Sequence, residues 1–89
     1  MNIEEVWSNI VKNEGKKFYT VTRIEFWYVL IDATTIQPHN VKGSKLYPIK
    51  RDTLETVISE CLPLVYKQIS KRFYAPAYIY ALLIDKRII

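Results

Sequence analysis

Apolar residues at Ile3, Val6, Trp7, Ile10 and Val11 recur at the three-and-four spacing that lines one face of a helix. Asn2 stands where an N-cap belongs, Glu5 three positions later completes a capping box, and Gly15 suits a left-handed terminator. The opposite face carries Glu4, Glu5, Asn9, Lys12 and Asn13 and reads as solvated. After Gly15 the period changes to two. Ile24, Phe26, Tyr28 and Leu30 share one face of a strand, and Glu25, Trp27, Val29 and Ile31 share the other. A strand apolar on both faces is either covered twice or offers its second face to something outside the chain. With Lys17–Val21 as partner, this stretch predicts a β-hairpin over about 17–31 that lacks an Asn-Gly or Asp-Gly turn.

From Thr34 to Ile49 the pattern weakens. Pro38, His39, Asn40, Gly43, Ser44 and Pro48 mark an irregular connection, with Thr34–Gln37 and Lys45–Tyr47 as candidate short strands and 39–45 expected to be mobile. Leu54, Val57, Ile58 and Cys61 restore helical spacing, with Asp52 and Glu55 where the helix dipole favours carboxylates and Pro63 at the boundary. Val65, Ile69 and Phe73 continue at intervals of four, which predicts another helix, although Leu64-Val65-Tyr66 also reads as a strand. Pro76 opens a last helix, Ala77–Ile84, that is apolar nearly all round and must be buried on most sides or dock on a second subunit.

The expected architecture is therefore α+β in a single domain, 1–89. An N-terminal helix precedes a small antiparallel sheet built on the 17–31 hairpin with one or two short strands added. Two or three C-terminal helices cover one sheet face. Trp7, Ile10, Phe26, Tyr28, Leu54, Val57, Ile58 and Leu82 are the leading core candidates. A composition 49% hydrophobic and 13% aromatic supplies enough apolar surface for one core at 89 residues.

Composition narrows the chemistry. Cys61 is the only cysteine, so an intramolecular disulfide and a thiolate metal cluster are excluded, and a reducing, cytoplasmic setting is expected. The acidic start is unlike a secretory signal, and no apolar run reaches the roughly 20 residues that span a bilayer, so no membrane role is expected. His39 is the only histidine, and Cys61 lies on the apolar stripe of its helix, where burial makes a thiol inert. No carboxylates show acid-base or metal spacing, and Glu25 is expected to pair with Lys17 or Arg23 across the hairpin. Gly43-Ser44-Lys45 lacks the preceding glycine and the residue order of a phosphate loop. The expectation is a non-enzymatic protein without cofactor or metal.

Charge adds the remaining signal. The chain carries a formal net charge of +4, and between Asp32 and Asp52 there is no acid while Lys42, Lys45, Lys50 and Arg51 all occur there. Lys16, Lys17 and Arg23 flank the first strand, and Lys67, Lys71 and Arg72 follow one another on the third helix. Cations that neutralise phosphates beside aromatic faces that stack on bases suit a nucleic acid, DNA or RNA. The candidate phosphate contacts are Lys16, Lys17, Arg23, Lys42, Lys45, Lys50 and Arg51, with Tyr19 and Tyr47 as stacking residues. The order of helix, strands and a helix begun by Lys50 and Arg51 resembles that of double-stranded-RNA-binding domains, a likeness of element order alone. The alternative is a protein-interaction module, as homodimer, adaptor or small inhibitor, which the apolar and tyrosine surface favours.

Overall fold

A computed structural model describes residues 1–89. Helix α1 (Ile3–Lys12) leads into four strands, β1 (Phe18–Tyr19), β2 (Glu25–Asp32), β3 (Thr35–Asn40) and β4 (Ile49–Lys50), followed by α2 (Arg51–Glu60), α3 (Tyr66–Arg72) and α4 (Pro76–Leu83). The α+β reading holds. The strands form one antiparallel sheet in the order β1-β2-β3-β4. No helix is long and apolar enough to cross a membrane.

Local chemistry explains the elements. The Asn2 side chain accepts the Glu5 backbone N–H at 2.9 Å and caps α1. That helix ends at Lys12, with Asn13 as C-cap and Gly15 beyond it in the left-handed region at φ +81°. From there the Gly15 N–H donates to the Tyr28 carbonyl at 3.0 Å, and the Glu14 carboxylate accepts the Leu30 N–H at 2.7 Å. These two bonds satisfy the edge of β2 where β1 no longer covers it.

The sheet departs from the expected hairpin. Lys17–Val21 shrinks to the two residues of β1, which pair Phe18 with Phe26 and Tyr19 with Glu25. The long partner of β2 is β3, in register from Phe26–Asn40 to Leu30–Ile36 with a bulge before Asp32. Their two-residue turn, Ala33-Thr34, is closed by the Asp32 side chain, which accepts the Thr34 N–H at 2.8 Å in place of an Asn-Gly signal. Pro38 is tolerated inside β3 because of ladder phase. The Val41 N–H bonds the Glu25 carbonyl at 3.2 Å, so by alternation Tyr28–Pro38 is a non-hydrogen-bonded pair, and β4 reaches only Thr35 and Ile36. His39 and Asn40 are therefore strand residues and not part of a mobile loop. Lys45–Tyr47 is not a strand, since Ile49–Lys50 takes that place. Residues 66–72 are helical, and Leu64 and Val65 form no strand.

One face of the sheet holds the core. Phe18, Phe26, Tyr28, Ile36 and Ile49 meet Val6, Trp7 and Ile10 of α1, Leu54, Val57 and Ile58 of α2, Ile69 of α3, and Tyr78, Ile79, Leu82 and Leu83 of α4 in one cluster. All eight core candidates are buried. The last helix is the most enclosed, as its all-round apolar pattern requires. Buried polar groups are matched: the Tyr28 hydroxyl donates to the Ile10 carbonyl at 2.6 Å, and the Asn40 side chain joins Tyr78 to the Lys42 and Ser44 backbone. The C-terminal residues dock as well, with Ile88 fully buried and its carbonyl accepting from the Asn9 side chain at 2.9 Å.

Candidate nucleic-acid interface

The antiparallel ladder fixes where the sequence-predicted cations lie. Tyr19, Glu25, Phe26 and Asn40 mark one end of the sheet, and Asp32, Thr35 and Lys50 mark the other. Arg23, in the β1–β2 turn, and Lys42, just after β3, share the first end. Lys50 and Arg51 occupy the second. Residues 41–48 run back along β3 between the two, tethered where the Gln37 side chain donates to the Leu46 carbonyl at 2.9 Å, and they carry Lys45 and Tyr47. Lys16 and Lys17 precede β1 on the opposite sheet edge. The seven cations are thus split among two ends and two edges.

One of them also meets a carboxylate. The Arg51 guanidinium binds Glu4 at 2.9 Å. Lys50 forms no ion pair; it pairs in register with Thr35, whose other neighbour Asp32 has its carboxyl held below the usual range chiefly by the Thr34 N–H, with a smaller contribution from the Lys50 charge. Tyr47 stacks on Tyr74 at 4.7 Å between ring centres. Tyr19 lies on the outer sheet face, 55% exposed, and its hydroxyl donates to Glu25 at 3.3 Å. Glu25 is therefore engaged by a phenol, not by Lys17 or Arg23. The same outer face stacks Trp27 on His39, with ring centres 6.0 Å apart, and no helix covers it.

A different part of the molecule gathers what the sequence scatters. The turn after β1 is tightly closed: Thr20 N–H donates to the Ile24 carbonyl at 3.0 Å, Thr20 Oγ1 accepts the Ile24 N–H at 3.0 Å, and Arg23 N–H donates to the Thr20 carbonyl at 2.9 Å. Arg23 sits at φ +68°, a left-handed conformation uncommon for a residue with a Cβ. This turn faces the start of α3 and the flank of α4 across a groove of about 340 Å³ lined by Thr20, Val21, Thr22, Tyr66, Ala77 and Tyr80. The Tyr66 and Tyr80 rings stand nearly perpendicular, at 81° with centres 5.7 Å apart. Val21 is 68% exposed and Tyr66 43% exposed, so the groove opens to solvent.

The two segments that form this groove, 15–24 and 61–84, contain no aspartate or glutamate, while Lys16, Lys17, Arg23, Lys67, Lys71 and Arg72 all fall within them. Arg72 is bound to Glu60 at 2.6 Å, outside both segments; the other five are in no ion pair. Tyr66, Tyr80 and Val21 were not singled out from sequence, although the missing acids over 61–84 were a readable sign. Beyond α4 the acid Asp85 is neutralised by Arg87, which holds its carboxyl below the usual range. Comparison with protein-family models, curated proteins and solved structures finds no match to this chain.

Proposed function

We propose that the protein is a non-enzymatic nucleic-acid-binding domain whose contact surface is the side formed by the β1 edge, the β1–β2 turn and α3. The supporting observation is the meeting of two acid-free segments, remote in sequence, across an exposed tyrosine-lined groove. Lys16, Lys17, Arg23, Lys67 and Lys71 are the phosphate contacts in this reading, since each is exposed and free of an ion pair. Lys42 lies at the same sheet end as Arg23, whereas Lys45, Lys50, Arg51 and Tyr47 fall outside the surface. The likeness of element order to double-stranded-RNA-binding domains, which would centre binding on Lys50 and Arg51, lends no support to this site.

The test is salt-titrated binding to single- and double-stranded DNA and RNA. Five phosphate contacts give a log-log slope of about −3.5 on a single strand, and each lysine replaced by alanine reduces it by about 0.7. Lys50→Ala leaves the slope unchanged. Absence of binding at low ionic strength, or a slope lowered by Lys50→Ala and not by Lys67→Ala, overturns the proposal. The exposed pair Tyr47 and Tyr74 favours a second reading, a protein-docking surface on the β4 side, since tyrosines are enriched at interfaces. Its mark is a dimeric solution mass that Tyr74→Ser returns to monomer.

A further inference from the structure

We infer that the groove between the β1–β2 turn and the α3–α4 pair receives an unpaired base, which makes a single strand and not a duplex the preferred ligand. This rests on the nucleic-acid reading above. The groove has the chemistry of a base site: its walls are mainly apolar, with Val21 and Ala77 beside two aromatic rings set at 81°. A flat ring entering such a corner stacks on one tyrosine and turns its own edge to the face of the other, an arrangement every base satisfies because each presents a π-face. Thr22, Tyr66 and Tyr80 bring three hydroxyl-bearing side chains to the lining. Neither phenol has a hydrogen-bond partner within the chain, and the threonine is engaged only with Thr20 at 3.2 Å, so all three are free to meet polar edges of a base.

Charge complementarity selects an anionic occupant over a neutral apolar one. Arg23 adjoins the Thr20–Thr22 wall and Lys67 adjoins Tyr66 in the chain, and neither wall-forming segment holds an acid. The nearest carboxylate in sequence, Glu25, is turned to the outer sheet face, where it accepts from Tyr19. Cations bracketing an aromatic corner match a nucleotide, whose phosphates flank its base. A base paired inside a duplex cannot enter without leaving its stack, which sets the strand preference.

The experiment compares fluorescence anisotropy of a labelled oligothymidylate with that of a duplex of the same length, and follows a 2-aminopurine oligonucleotide whose emission falls on stacking. The single strand is expected to bind at least tenfold more tightly, with quenching. Tyr66→Ala lowers single-strand affinity by about 5- to 150-fold, the range of one lost stacked base, and leaves both the salt slope and duplex binding unchanged. Tyr66→Phe keeps the stack and binds within about threefold of the parent. Val21→Asp, at an open position, puts a carboxylate in the groove and weakens binding as well, which covers the case of a Tyr66→Ala protein that does not fold. Duplex binding equal to single-strand binding, or quenching and affinity untouched by both Tyr66→Ala and Val21→Asp, overturns this inference while the nucleic-acid reading stands. No binding to any nucleic acid removes both.

Discussion

Replacing Arg87 with alanine tests how the C-terminal segment is held. The guanidinium makes three kinds of contact: a fork on Asp85 through Nε at 3.0 Å and Nη2 at 2.9 Å, a bond from Nη2 to the Lys17 carbonyl at 3.0 Å, and a seat over the Phe18 ring 4.0 Å from its centre. The side chain remains 42% exposed, so each contact is discounted for solvent. The fork contributes about 0.5–1 kcal/mol, the upper range for an exposed pair with bidentate geometry. The seat over Phe18 adds about 0.5 kcal/mol and the bond to the exposed carbonyl a similar amount. Arg87→Ala should then cost about 1.5–2 kcal/mol. With a urea m-value near 1 kcal/mol/M, the unfolding midpoint falls by about 1.5–2 M, and the melting temperature by about 6–16 °C. Arg87→Lys keeps the charge but neither fork nor planar stack, and should lose at least half as much. The pH dependence has a definite sign. Asp85 is held below its ordinary 3.8 mainly by the Arg87 side chain, so its contribution is present above about pH 4 and disappears as pH falls through the lowered value. The gap between parent and variant should therefore narrow in acid. A loss under about 0.5 kcal/mol at neutral pH, the range of ordinary surface changes, or a gap that widens below pH 4, would refute the reasoning.

Other expectations follow from buried polar groups. Tyr28→Phe removes the 2.6 Å bond to the Ile10 carbonyl, which still accepts the Asn13 N–H, so urea denaturation should show a loss of about 1 kcal/mol. Burial raises the Tyr28 pKa above its ordinary 10.0; its share of stability is full below that pH and is lost as pH rises beyond it, and the variant should decline less steeply in alkali. Asn40→Ala strips partners from the Tyr78 hydroxyl and from the Lys42 and Ser44 N–H groups, costing about 2–3 kcal/mol and accelerating hydrogen exchange at 42–44. Cys61, 1% exposed, should react with a thiol reagent only at the rate of unfolding, and an immediate reaction in the native state would contradict its burial.

Helices α1 and α2 were legible because each buries a stripe, and burial writes a period of 3.6 into the sequence; α4 was legible as an all-round apolar run opened by Pro76, while α3 left a strand open at Leu64-Val65-Tyr66. Strand β2 was legible for the same reason at a period of two. Its partner was not, because the segment before it, Lys17–Val21, looks more strand-like than Thr35–Asn40. Within β3 only Ile36 is a conventional core residue. Pro38 and Asn40 fill the other inward positions, one tolerated by ladder phase and the other by a complete set of side-chain bonds. Neither compensation leaves a trace in hydrophobic pattern. The two-residue turn was equally hidden, since the Asp32 carboxylate does what an Asn-Gly backbone does elsewhere.

The sequence-predicted cations do not gather on one surface, for a topological reason. Four cations within ten residues, Lys42 to Arg51, look like a patch, yet the chain between them crosses the whole length of β3, so closeness in sequence becomes separation at opposite ends of the sheet. The reverse holds for Arg23 and Lys67. Forty-four residues apart by number, they adjoin Thr22 and Tyr66, which line one groove because α4 packs along β1 and brings α3 with it. Charge density along a chain therefore locates a polyanion surface only where the carrying segment keeps to one element. The proposed surface instead rests on acid-free segments joined by tertiary contact, a criterion that selects Lys16, Lys17, Arg23, Lys67 and Lys71 over Lys50 and Arg51. The two sets make opposite demands on one measurement: if Lys67→Ala and Lys50→Ala are compared in the same salt titration, only the first should flatten the slope.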